Sequence, residues 1–232
     1  MSHLVDADIA PTPDRDRASA PAIPVVPDGS EGPDTKGYRR GTHRTCSPGE
    51  TYERLRHLMP RCGITRVANV TGLDCVGIPV FVATRPNSRP LSTSQGKGLD
   101  PAAAMTSAMM EAFESWHGER VRGDGCYLRF SEVSSERGVP PVDVMRITRR
   151  GPTTGWVTSS PMNWVLGSDL LSGTTRYVPY DCVSNDLTVS AKTSPLNRST
   201  NGLASGNTVL EATLHRIYEV IERDAVSLVA TR

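Results

Sequence analysis

The feature that most constrains this chain lies near its end, where a loop of small residues runs straight into an uninterrupted helical pattern. The loop reads Asn201-Gly-Leu-Ala-Ser-Gly-Asn-Thr208. After it, Leu210, Leu214, Ile217, Ile221, Ala225 and Leu228 recur at helical spacing, which predicts one long amphipathic helix from about Thr208 to the end. A helix start exposes free backbone N–H groups and the positive end of the helix dipole, and Gly202 and Gly206 allow the backbone to come close to a ligand. Together these favour an anion, typically a phosphate. The alternative is purely structural, with Asn207 or Thr208 capping the helix. The chain contains no G-x-x-x-x-G-K-[ST] loop, so a Walker-type phosphate site is excluded.

A second helix is marked by Asp100 as its cap and Pro101 at its first position. Met105, Met109, Ala112 and Trp116 share one face and are expected in the core. Ser107, Glu111 and Glu114 form a stripe roughly opposite. Gln95-Gly-Lys-Gly98 reads as a small loop before this helix, with Lys97 either meeting a phosphate or lying in a solvated turn. On the last helix Glu211, His215, Glu219 and Glu222 step by four, four and three along one flank. Like charges at these spacings repel by a few tenths of a kcal/mol, roughly, per pair. They invite a cation, with Arg216 and Arg223 supplying part of it and a metal the rest. For either helix taken alone, a solvated face is the simpler account. Two such helices, each behind a glycine-containing loop and each carrying E-x-x-E, supply what a magnesium nucleotide needs: carboxylate oxygens for the metal and N–H groups for the phosphates.

The rest of the chain fits a mixed α/β domain. Ser47, Pro48 and Glu50 open a short helix that Pro60 ends, and Thr65–Val70 and Gly77–Thr84 read as two strands of one sheet turning at Gly72-Leu-Asp74. Cys126–Phe130, Arg176–Val178 and Leu187–Ser190 read as strands and Val142–Arg150 as a helix. Residues 151–175 read as turns with one short strand. Six of the 18 prolines fall in residues 1–36 among Asp, Ala and Ser, a composition expected to be disordered. The net charge of +1 gives no reason to expect a nucleic-acid partner. No apolar run is long enough for a membrane helix, and the N-terminus lacks the pattern of a secretory signal, so a cytoplasmic location is the expectation. Five cysteines without a C-x-x-C pair argue against a zinc site or a disulfide framework.

Gln95-Gly-Lys-Gly with Ser107-x-x-Glu111-x-x-Glu114, and Asn201-Gly-x-Ala-x-Gly-Asn207 with Glu211-Ala and Glu219-x-x-Glu222-Arg223, resemble the two nucleotide-binding motifs of the YcaO family. The resemblance covers about residues 38–232 and includes Thr71-Gly-Leu-Asp74 and Gly77-Ile-Pro-Val-Phe-Val-Ala-Thr-Arg-Pro-Asn87. It implies a YcaO-like nucleotide-binding fold, with ATP and Mg2+ as cofactors. It also implies an activity: a nucleophile attacks a peptide amide carbonyl, ATP phosphorylates the oxyanion, and phosphate leaves. A Cys, Ser or Thr side chain of the substrate then gives an azoline, and external sulfide gives a thioamide. Carried over, Glu111, Glu114, Glu211, Glu219 and Glu222 hold magnesium, Asn207, Arg223 and Ser107 contact the nucleotide, and Arg44 and Thr51 match further nucleotide contacts loosely. The expected partners are a peptide or protein substrate, a protein delivering peptide or sulfide, and a second copy in a homodimer.

Two departures stand out. Ser115 follows Glu114 where the first motif commonly has Arg, and the chain stops within a turn or two of the second motif, so the domain is expected to be truncated at its C-terminus. The chain is then an ATP-dependent enzyme or its front half, an inactive scaffold that kept the fold, or one piece of a split enzyme. The Gly77-Ile-Pro-Val-Phe81 segment leans toward the branch associated with thioamides or with ribosomal protein methylthiotransferase accessory factors.

Overall fold

The computed structural model describes residues 35–123, 125–147, 154–188, 196 and 198–230. All of them fall within one unit, Pro33–Arg232. The helix expected from Ser47-Pro48 forms as α1 (Pro48–Leu55) and is closed by a reciprocal cap, in which the Ser47 hydroxyl accepts from the Glu50 backbone and the Glu50 carboxylate accepts from Ser47. It gives way to 3-10 turns on either side of Met59.

Strands β1 (Arg66–Asn69), β2 (Val80–Thr84) and β3 (Thr93–Lys97) form an antiparallel sheet in that order. β3 corrects the sequence reading, which placed Gln95–Gly98 in a loop. Its sequence Thr-Ser-Gln-Gly-Lys has little strand propensity, yet it pairs along the whole of β2, with Phe81 opposite Gly96 and Ala83 opposite Ser94. Packing overrides propensity here because the two inward positions, Ser94 and Gly96, must be small. Helix α2 (Pro101–Gly118) lies across them, and a Cβ on Gly96 would come within 2.1 Å of the Ala108 backbone nitrogen. Ala104, Ala108, Met109 and Ala112 are fully buried at that contact. Asp100 caps α2 through the Ala103 N–H, as expected. The Thr106 hydroxyl donates to the Pro48 carbonyl (2.8 Å) and so fixes α1 against α2.

The second sheet is β4 (Gly125–Leu128), β5 (Met162–Ser168) and β6 (Thr175–Pro179), also antiparallel. With α3 (Phe130–Arg137), α4 (Val144–Ile147) and α5 (Thr154–Ser159) it surrounds a core of Val133, Val144, Val157, Trp164 and Tyr177. The stretch read as turns with one short strand therefore holds a helix and a seven-residue strand. Val157 and Trp164, both fully buried, are what order it. Phe130 opens α3 rather than ending a strand, Leu187 and Thr188 lie in a turn, and the expected helix over 142–150 is seen at Val144–Ile147. Residues 148–150 and 189–190 lie outside the described residues, as does nearly all of the segment expected to be disordered.

At the C-terminal end of α2, Glu119 is completely buried. It accepts from Arg85 (2.5 Å), the Ser88 hydroxyl (3.2 Å), the Arg89 backbone (2.9 Å) and Arg120. Arg89 continues to Asp186 (2.8 Å), and the Asn185 backbone donates to the Gly118 carbonyl (3.0 Å). This charged knot joins the first sheet, α2 and the segment after β6. The last helix, α6 (Val209–Ala230), is the one read from the sequence, but its apolar stripe is largely solvent-facing: Ile221 is 60% and Leu228 59% exposed.

Candidate functional site

Three stretches far apart in the chain meet around a cavity of about 490 Å3: residues 38–51, the segment 97–115 leading into α2, and residues 200–223. Gly206 shows why the loop before α6 must be small. A Cβ there would stand 2.5 Å from the Ala212 nitrogen, so the loop lies flat on the first turn of the helix, and Gly202 turns it with φ 78°. The capping alternative resolves in favour of Thr208, whose hydroxyl accepts from the Glu211 N–H (3.1 Å). Asn207 is therefore free for other work. Its side-chain oxygen accepts from the Thr51 hydroxyl (2.9 Å) and from Arg54 (2.5 Å), and its amide nitrogen donates to Glu211 (3.1 Å).

The glutamates are not equivalent. Glu211 is buried and saturated: one oxygen accepts from the Thr45 N–H (2.8 Å) and hydroxyl (3.0 Å), the other from the Asn207 backbone and side chain (both 3.1 Å) and from Arg44 (3.3 Å). Burial alone would raise its carboxyl, but these donors outweigh it and hold it below the usual carboxylate range. Glu211 thus ties the segment around Thr45 to α6.

Glu114 is the opposite case. Burial pushes it up to about 7, Glu111 and Glu219 push in the same direction, and only Ser205, donating from its N–H (2.8 Å) and hydroxyl (2.5 Å) to one oxygen, pulls it down. Among the described residues it forms no ion pair. Glu111 is also raised by desolvation, against the Gln95 backbone and Lys97. Glu219 pairs with Arg223 (2.6 Å), which also reaches the Asn201 side chain.

Of the ten residues that the resemblance assigns to magnesium or nucleotide, nine line this cavity: Arg44, Thr51, Ser107, Glu111, Glu114, Asn207, Glu211, Glu219 and Arg223. Glu222 does not. It lies exposed on α6, about 4.5 Å farther along the axis than Glu219 at the usual rise per residue. The sequence reading missed Thr45, Arg54 and Ser205. Nothing local marks them, because their partners lie 91 to 166 residues away.

The donor set fits magnesium and a polyphosphate. Hard oxygen ligands surround a half-buried carboxyl that forms no ion pair among the described residues, which is where a divalent cation gains most. Among the described residues no three His, Cys, Asp or Glu side chains form a metal-binding group. That suits Mg2+, which usually takes one or two carboxylates and completes its shell with water and substrate phosphates.

Comparison with known proteins agrees with this geometry. The model of the family described as YcaO cyclodehydratase, ATP- and Mg2+-binding, matches residues 95–232. An uncharacterized protein of Mycobacterium tuberculosis (strain H37Rv) is 39% identical over 201 residues, which are 86% of this chain and 45% of that protein. The structure of YcaO from Methanopyrus kandleri bound with AMPPCP and Mg2+ matches with a TM-score of 0.62 and 29% identity, over 85% of this chain and 48% of that one. A heterocyclase in complex with substrate and cofactor shares the fold, with a TM-score of 0.63 at 21% identity over 82% of this chain and 29% of that one. The chain spans about half the length of the mycobacterial relative and of the Methanopyrus structure, and with the family model matching residues 95–232 it belongs to the YcaO family.

Proposed function

We propose that this chain provides the magnesium–ATP site of an enzyme that activates a peptide backbone amide. The observation that carries this reading is Glu114, a half-buried carboxyl whose site raises it to about 7 and which forms no ion pair among the described residues, set in a cavity floored by a loop folded flat on a helix start. In this reading Glu111, Glu114 and Glu219 offer one or two carboxylates to each Mg2+ ion, which would supply charge neutralisation for the polyphosphate. Asn207, Ser107, Thr51 and Arg44 border the nucleotide, and Arg223 keeps Glu219 in place. Glu211 acts as the tie that closes the cavity wall. Glu222, one turn beyond Glu219 on α6, does not line the cavity, and its part in holding a metal rests on its place in the second motif.

The reaction class follows from the family. ATP transfers its terminal phosphoryl group to the oxygen of an attacked amide, and phosphate departs with that oxygen. The substrate is a peptide or protein. Attack by its own Cys, Ser or Thr side chain gives an azoline, and attack by external sulfide gives a thioamide. Mass spectrometry separates the outcomes, since ring closure loses water and the other exchanges oxygen for sulfur.

The test is calorimetric titration of the chain with ATP at saturating Mg2+, repeated with EDTA. Saturable binding that disappears with EDTA is expected. Absence of binding in both conditions would sink the proposal.

A further inference from the structure

Asn207 lines the cavity, and three residues fix how its side chain presents itself. Its Oδ1 lies 2.5 Å from Arg54 Nη2 and 2.9 Å from the Thr51 hydroxyl, and its Nδ2 lies 3.1 Å from Glu211 Oε1. A guanidinium can only donate, and a carboxylate kept ionised by its neighbours, as Glu211 is, can only accept. The two ends of the carboxamide therefore cannot be exchanged. The oxygen is taken up by donors of the protein. One Nδ2 proton goes to Glu211, and the other has no acceptor among the described residues.

The two donors to Oδ1 are not equivalent. Thr51 has a single hydroxyl proton, and the Ser47 carbonyl, one turn back at the cap of α1, competes for it at 3.1 Å. Arg54 carries five N–H groups and has donors to spare. It stands in the last turn of α1, exposed to solvent and outside the lining of the cavity, so its reach into the site is through Asn207. We infer that Arg54 is a positioning residue: it holds Asn207 with the carboxamide oxygen turned into the protein, so that Nδ2 offers one proton to an oxygen atom of the bound nucleotide. This rests on the nucleotide site proposed above. Without Arg54 the carboxamide keeps only the Glu211 bond and a shared Thr51 proton, and it pivots on them. A side chain that shows a donor and no acceptor suits a phosphate oxygen and is unsuited to ligate Mg2+, which takes oxygen.

The chemistry specifies which replacements succeed. Arg54→Met keeps the length of the side chain and removes its donors. Arg54→Gln restores a donor without the charge. Asn207→Ala removes the group through which Arg54 acts.

Two double-mutant cycles on the full chain test the inference. In thermal melts without nucleotide, Arg54→Met is expected to lower the melting temperature by about 2–4 °C, the size of one ordinary hydrogen bond, and to have no effect in an Asn207→Ala background. At saturating Mg2+, ATP affinity measured by calorimetry is expected to fall about fivefold in Arg54→Met and to recover in Arg54→Gln. Once Asn207 is alanine, affinity is expected to be indifferent to Arg54. An equal loss from Arg54→Met with and without Asn207 would overturn the inference, since the charge would then act on the nucleotide at a distance. So would Arg54→Gln binding as weakly as Arg54→Met, because hydrogen bonding would not be what matters. If wild type binds no ATP while the melts show the coupling, the hold of Arg54 on Asn207 stands and the nucleotide site fails.

Discussion

At the scale of single residues, Glu114 makes the sharpest prediction. Below about pH 4.5 it is protonated whether the chain is folded or not, so its burial costs nothing there. As pH rises through about 7 the folded chain must ionise a buried acid that the unfolded chain ionised at a much lower pH, and stability is lost across that window. Glu114→Gln is therefore expected to be more stable than wild type at pH 8, by on the order of 1–3 kcal/mol, and no more stable near pH 4. It should also lose Mg2+-dependent ATP binding. Thermal melts across pH check the first point, and a variant less stable than wild type at pH 8 would contradict it. Glu119 behaves in the reverse sense. It is a buried charge that is fully partnered, and Glu119→Ala leaves Arg85 buried without its carboxylate. A loss of about 3–5 kcal/mol is expected in urea unfolding. A loss under 1 kcal/mol, roughly, would mean water replaces the carboxylate there.

At the scale of elements, the contact of β3 with α2 leaves no room for a side chain at position 96. Gly96→Ala drives a methyl into the backbone of Ala104 and Ala108. Overpacking of this kind costs about 1–3 kcal/mol, and more where backbone must move. A melting temperature within a degree or so of wild type would show that the helix lifts freely. This contact also shows what could be read from the sequence and what could not. α2 and α6 were legible because their caps and apolar periodicities are local. β3 was not, since its polar, glycine-containing sequence becomes a strand only through pairing with β2 and cover from α2. α5 and β5 were missed for a related reason: Gly, Ser and Thr dominate their sequences, and a few buried residues such as Val157 and Trp164 decide their structure. The site followed the same division. Glutamates on helix stripes and glycines before a helix are visible as patterns. Thr45, Arg54 and Ser205 are ordinary residues made important by partners that only the fold brings near.

At the scale of the whole molecule, α6 is held at its first turns and stands exposed beyond them. Ile221, Val226, Leu228 and Val229 are all more than half exposed, a larger apolar run than a helix in water tolerates without association. The double variant Ile221→Lys with Val226→Lys is expected to lower self-association, measured by light scattering across concentration, while leaving ATP binding unchanged. Equal scattering by both proteins would place the association elsewhere. No helix among the described residues is long and apolar enough to cross a membrane.

The tie between Thr45 and Glu211 closes a loop of 166 residues. Such a closure has a large entropic cost and a few hydrogen bonds to offset it, so it forms after the local helices and hairpins and opens before them. The cavity wall is then a latch between two distant segments, with its own melting point below that of the sheet and helix beneath. In low urea the amides around Thr45 and Ser205 are expected to exchange while those of α2 stay protected. A ligand that spans the wall would bring the two transitions together.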